Sequence, residues 1–172
     1  RKGRVMISES TTIIIVGATG DLARRKLLSA LFNLYCKGRL PARIKIIGFS
    51  RTDLSDVEYR DLMWDGIQEF ADPGLRSDEW GNFSECLHYV TGSASSLGAF
   101  AGLKRRVDSL ERDVAVRNRL FYLATAPQLF EPAVKNLGDS GLATDGDGWR
   151  RVVIEKPFGR DLNSAQALNR SV

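Results

Sequence analysis

The feature that most restricts this chain is a junction near its amino end. Thr11-Thr-Ile-Ile-Ile-Val16 is β-branched throughout and stops at Gly17-Ala18-Thr19-Gly20. A β-branched run with no alternation of apolar and polar residues belongs to a strand covered on both faces, which is the parallel-sheet case. Parallel strands need a crossover, and the residues after the turn supply one. Leu22, Leu27, Leu31, Leu34 and Tyr35 fall near one helical face, with Gly38 as the predicted carboxyl cap and Pro41 as a stop. Gly17 permits the tight turn, Gly20 lets backbone amides approach an anion at the helix start, and Ala23 is small enough for close helix–strand packing. A strand, a glycine turn and a helix in this order form the setting in which dinucleotide pyrophosphates bind. The plain alternative is a tight turn that holds no ligand.

The same alternation continues along the chain. Strand-like runs are predicted at Ile44–Phe49, Leu87–Val90, Leu120–Ala124 and Arg151–Ile154. Helices are predicted over Ser55–Phe70, where Ser55 and Glu58 can form a capping box and Asp72-Pro73-Gly74 ends the run, and over Leu97–Leu110, Pro127–Leu137 and Asp161–Leu168. Asp139–Gly148 reads as a glycine- and aspartate-rich loop. Strand and helix in turn predict an α/β fold, a doubly wound, mostly parallel, Rossmann-like sheet with helices on both faces. The expected organisation is a flexible segment over residues 1–10 and a single dinucleotide-binding domain over residues 11–172. The last helical pattern runs out at Val172 with no stop signal, as in a longer protein cut short.

Composition removes several other classes. With 43% apolar and 27% charged residues the chain is globular, and no apolar run reaches the roughly 20 residues a membrane helix needs. No secretory signal precedes the first strand, which predicts a cytoplasmic protein, although a trimmed organelle-targeting segment stays open. The net charge of +4 is scattered among acidic residues, which argues against a nucleic-acid stripe and suits a phosphorylated ligand. Cys36, Cys86 and the single histidine, His88, lack metal-ligand spacing, so the thiols are read as buried and reduced and His88 as structural.

Two further positions carry chemistry. Arg51 follows the second strand, where dinucleotide folds meet the adenosine ribose. A planar guanidinium there suits the 2′-phosphate of NADP, with Thr19 able to add a hydroxyl. Asp53 could instead take the ribose hydroxyls, so NAD remains a possible secondary cofactor. Lys156 follows the fifth strand in Glu155-Lys-Pro-Phe-Gly159, at the strand ends where ligands of such sheets collect. A surface lysine in a tight turn is the alternative.

Taken together, Gly17-Ala-Thr-Gly-Asp-Leu-Ala-Arg-Arg-Lys26, Ile47-Gly-Phe-Ser-Arg51, Phe121-Tyr-Leu-Ala-Thr-Ala-Pro127 and Glu155-Lys-Pro-Phe-Gly-Arg-Asp161 resemble the glucose-6-phosphate dehydrogenase family in order and spacing. The resemblance implies oxidation of glucose 6-phosphate to 6-phosphogluconolactone with NADP, the first step of the pentose phosphate pathway, with this chain as the cofactor-binding part. It further implies that Gly17, Ala18, Thr19, Gly20, Asp21, Leu22, Ala23 and Arg24 wrap the pyrophosphate, and that Thr19 and Arg51 hold the 2′-phosphate. Ala126 and Pro127 would line the groove through backbone, Lys156 would touch cofactor and sugar phosphate, and Lys26 would lie on the substrate side. A homo-oligomer is implied for the whole protein, with exposed apolar surface where the rest of it packs. The family's catalytic histidine belongs to an Arg-Ile-Asp-His-Tyr-Leu-Gly-Lys-Glu-like stretch that this sequence lacks, so the expected catalytic base lies beyond Val172 and this chain alone is expected to bind NADP without turnover. A non-catalytic NADP-sensing domain is the competing reading, and Glu155–Gly159 is the feature it does not need. A sugar-nucleotide oxidoreductase would carry a Tyr-x-x-x-Lys pair, which neither Tyr35 nor Tyr122 provides.

Overall fold

The computed structural model describes residues 8–70, 74 and 76–155. The strands are β1 (Glu9–Val16), β2 (Ile44–Ser50), β3 (Leu87–Thr91), β4 (Val116–Leu123) and β5 (Arg150–Ile154). They form one sheet in the order β3-β2-β1-β4-β5, with every neighbouring pair parallel. The helices are α1 (Leu28–Cys36), α2 (Asp56–Phe70), α3 (Trp80–Ser84), α4 (Leu97–Leu110) and α5 (Phe130–Asp139). No helix among the described residues is long and apolar enough to cross a membrane.

The unbroken β-branched run of β1 is explained by its central place. Ile13 and Ile15 face one cluster, packed with Leu28 and Phe32 of α1 and Tyr59 and Met63 of α2. Ile14 and Val16 face the other, packed with Phe100 and Leu103 of α4 and Ala133 and Leu137 of α5. Both faces of the sheet are therefore dry, and each crossover helix covers one of them. The outer edge of β3 is closed by α2: Asp56 accepts from the Tyr89 amide (2.8 Å) and Arg60 donates to the Leu87 carbonyl (2.8 Å). Side chains thus satisfy edge groups that a neighbouring strand would otherwise take.

Several sequence expectations are met closely. The Ser55–Glu58 capping box forms, with the Glu58 amide 3.2 Å from Ser55 Oγ and the Ser55 amide 2.7 Å from Glu58 Oε2. Gly38 has φ +64° and closes α1, its amide donating to the Tyr35 carbonyl. Others need correction. The first strand begins at Glu9, inside the segment expected to be flexible: Glu9 and Ser10 pair in register with Val116 and Arg117 of β4, and the Glu9 carboxylate accepts from Asn118 Nδ2 at 2.6 Å. The fourth strand begins at Val116 rather than Leu120. Arg119, outside the expected strand, is buried in it, donating to Glu111 at 2.6 Å, and Thr12 of β1 donates to the same carboxylate at 2.7 Å. The first helix opens with a π-helical turn at Ala23–Leu27. The short helix α3, preceded by a 3-10 turn at Ser77–Glu79, had no sequence prediction. It is held by packing: Trp80 stacks on Trp64 and meets Phe32 edge-on, so tertiary contacts support a segment too short to be stable alone. Asp72, Pro73, Lys156 and the expected final helix lie outside the described residues.

Candidate dinucleotide site

The carboxyl ends of β1, β2, β3 and β4 frame a groove of about 630 Å³. Its floor is the glycine turn. Gly17 has φ +87°, and a Cβ there would stand 2.8 Å from the Ala124 carbonyl oxygen, so both conformation and space demand glycine. The amides of Gly17 and Ala18 point to the Phe49 carbonyl (2.8 and 3.4 Å), and the Gly20 amide closes the turn onto Gly17 (3.1 Å). The first helical bond is Arg24 to Gly20, so the amides of Thr19, Asp21 and Leu22 have no backbone acceptor among the described residues. These unpaired donors at the positive end of a helix are what a phosphate requires. The donors are the neighbours of Gly20, not Gly20 itself.

The expected wrapping residues divide into three groups. Gly17, Thr19 and Gly20 line the groove, together with Arg51 and Ala126. Ala18 and Ala23 are fully buried in the core below the turn, so their methyl groups cannot meet a ligand; their small size lets the helix sit close to the sheet. Asp21 is turned to Arg25 (3.0 Å), and Arg24 packs its backbone against Gly66 of α2. Leu22 is half-buried, Lys26 and Pro127 are exposed, and none of the three is among the groove-lining residues. Pro127 instead starts the 3-10 turn before α5.

At the end of β2 the Arg51 guanidinium is exposed and pairs with no carboxylate among the described residues. Three hydroxyls line the same groove. Thr19 Oγ1 is 2.9 Å from Ser50 Oγ and 3.3 Å from Thr52 Oγ1. Asp53 is engaged by the Thr91 hydroxyl at 3.2 Å. Thr125 Oγ1, in the groove wall, is shielded and has no partner among the described residues. An unpaired cation, free amides and an orphaned hydroxyl fit a bound dinucleotide, whose anionic and ribose oxygens would satisfy them. Sequence reasoning missed Ser50, Thr52, Gly92–Ser95 and Thr125. The fully buried packing of Phe49 explains Gly92, where a Cβ would stand 2.5 Å from the Phe49 ring.

The remaining candidates sit elsewhere. His88 lines a second cavity of about 550 Å³, with Tyr35, Lys45 and Cys86. Burial depresses the His88 pKa, Asp56 opposes this, and Arg106 adds to the lowering. The two cysteines are half-buried, not fully buried, and free. Burial first of all pushes both thiols upward, so neither is an activated nucleophile. Tyr122 donates to the Glu155 carboxylate at the ends of β4 and β5; burial and then that bond push its phenol up to about 12. Lys156 lies outside the described residues.

Comparison with known proteins agrees with this fold. Over 162 residues the chain is 38% identical to glucose-6-phosphate 1-dehydrogenase 2 of Mycobacterium bovis, covering 93% of this chain and 32% of that protein. It is 38% identical over 164 residues to the chloroplastic glucose-6-phosphate 1-dehydrogenase of Nicotiana tabacum, covering 95% and 27%. A solved structure described as glucose-6-phosphate dehydrogenase in complex with its substrate glucose-6-phosphate superposes with TM-score 0.83 at 33% identity, covering 98% of this chain and 34% of that one. The chain therefore spans about a third of the length of such relatives. Residues 14–172 match the family model "Glucose-6-phosphate dehydrogenase, NAD binding domain", and on that match the chain belongs to the family of glucose-6-phosphate dehydrogenase NAD-binding domains.

Proposed function

We infer that this groove binds NADP in preference to NAD, and that the whole protein oxidises glucose 6-phosphate at C1 to 6-phosphogluconolactone. The observation that carries the cofactor choice is the Arg51 residue, free of carboxylates among the described residues and lining one groove with the hydroxyl-bearing Thr19, Ser50 and Thr52. A planar cation beside hydroxyl donors matches a dianionic phosphate, whereas NAD offers only a ribose hydroxyl there. Asp53 is the group that could hold that hydroxyl, which leaves NAD as a secondary cofactor.

A bound dinucleotide would supply the hydride acceptor for the sugar carbon. The chain's own part is binding and aiming. Gly17 would let the backbone come close, and the amides of Thr19, Asp21 and Leu22, which lack backbone acceptors among the described residues, would donate to the pyrophosphate. Lys156 and Lys26 are the substrate-side cations of this reading. The 1-hydroxyl proton needs a base, and His88 does not supply it, because it lines the second cavity and not the groove. The base belongs to the rest of the protein, as does a homo-oligomeric assembly, and the location is the cytoplasm. Titration with NADP and NAD, repeated on Arg51→Ala, tests the reading. NADP preference that Arg51→Ala abolishes supports it. Equal binding of both nucleotides, unchanged in the variant, refutes the NADP assignment.

A further inference from the structure

We propose that Tyr89 is a specificity-determining positioning residue, setting the nucleotide preference through Ser50 and Thr52 without touching the ligand. The inference rests on the 2′-phosphate reading of Arg51.

Tyr89 is fixed from three sides. It lies in register with Gly48 of β2. A Cβ on Gly48 would stand 2.6 Å from Cζ of Tyr59, so the Tyr59 ring occupies the space this glycine leaves open. That ring packs on Tyr89 with centroids 4.8 Å apart. The Tyr89 amide donates to Asp56 Oδ1, and Asp56 is held in turn by Arg106 at 2.7 Å.

The Tyr89 hydroxyl thereby reaches the loop that carries Arg51. It lies 2.6 Å from the Thr52 carbonyl, 3.1 Å from the Ser50 carbonyl and 2.7 Å from Ser50 Oγ. A carbonyl only accepts, so the single phenolic proton goes to the nearer one, that of Thr52. Ser50 must then donate to Tyr89, and Thr19 must donate to Ser50 across 2.9 Å. Thr52 Oγ1, at 3.3 Å, completes the order by donating to Thr19. The hydroxyls form one directed chain, Thr52 to Thr19 to Ser50 to Tyr89, closing on the Thr52 carbonyl. Arg51 is the one residue between the two that Tyr89 anchors. The Thr52–Thr19 bond is the longest and lies at the exposed end, so an arriving anion breaks it first while the anchored links persist.

Tyr89→Phe keeps the ring and removes both the anchor and the acceptor. Ser50→Ala cuts the chain but leaves the bond to the Thr52 carbonyl. The whole protein is titrated with NADP and with NAD in both variants and in Arg51→Ala. The expected result is a loss of NADP affinity of about 3- to 10-fold in Tyr89→Phe, a smaller loss in Ser50→Ala, and NAD affinity within about twofold throughout. If Tyr89→Phe weakens both nucleotides alike, Tyr89 is merely structural and the inference is overturned. If selectivity survives Tyr89→Phe but is lost in Arg51→Ala, the inference fails and the 2′-phosphate reading stands. If Arg51→Ala itself keeps selectivity, both fail.

Discussion

Replacing Arg119 by Met should destabilise the fold strongly, by a mechanism that a second substitution can expose. Arg119 is 5% exposed and Glu111 is 0% exposed. The guanidinium donates to Glu111 through Nε (3.1 Å) and Nη2 (2.6 Å), to the Leu142 carbonyl (3.1 Å) and to Asp108 (3.2 Å). Without it, Glu111 keeps only the Thr12 hydroxyl among the described residues. Coulomb attraction between charges about 4 Å apart, as the centres of a paired guanidinium and carboxylate are, is about 4 kcal/mol at an effective dielectric of 20, and it offsets the cost of burying both charges. Removing one partner leaves that cost uncompensated, which predicts a loss of about 3–5 kcal/mol. For a domain of this size that lowers Tm by roughly 6–20 °C. Urea unfolding followed by circular dichroism measures the loss. Glu111→Gln added to Arg119→Met removes the stranded charge while keeping a partner for Thr12, and should recover at least half of it. Two results would refute the reasoning: a cost below about 1 kcal/mol for Arg119→Met, or a double variant no more stable than the single one. Either would mean that water reaches the pair.

Gly48→Ala places a methyl 2.6 Å from Cζ of Tyr59 and should cost about 2–3 kcal/mol in chemical unfolding; a neutral result would mean that Tyr59 has room to move. Tyr59→Phe removes a buried hydroxyl with no partner among the described residues and should leave Tm unchanged or raise it by the equivalent of about 1 kcal/mol. A clear fall in Tm would reveal a partner such as a buried water. Because burial, then Arg106 against the pull of Asp56, depresses the His88 pKa, the unfolded chain takes up its proton first as the pH falls. The stability contributed by neutral His88 is complete above its ordinary value of 6.5 and is lost as the pH drops through the lowered one. His88→Gln should flatten that part of a Tm-against-pH profile.

How much of this was legible beforehand depended on how far along the chain each cause acts. Local patterns sufficed for the glycine turn, the Ser55 capping box, the Gly38 cap and the parallel sheet, because β-branched runs, turn glycines and cap residues act within a few positions. They also singled out Gly17, Thr19, Gly20 and Arg51, which the fold does bring to one groove. The start of β4 was not legible, since Arg119 becomes a core residue only when Glu111, at the end of the preceding helix, turns its carboxylate onto it and Thr12, distant in sequence, donates to that same carboxylate. Nor was α3, which rests on Phe32 and Trp64 from other helices. The same holds for Tyr89, whose hydroxyl meets Ser50 and Thr52 only because β3 lies beside β2. By itself the sequence determined the layers, the turn and the cation that follows the second strand, all short-range consequences of residue type. Only the tertiary structure decided which amides stay free, which charges are buried and which hydroxyls hold the Arg51 loop, because each of these depends on groups that folding alone brings within hydrogen-bonding distance.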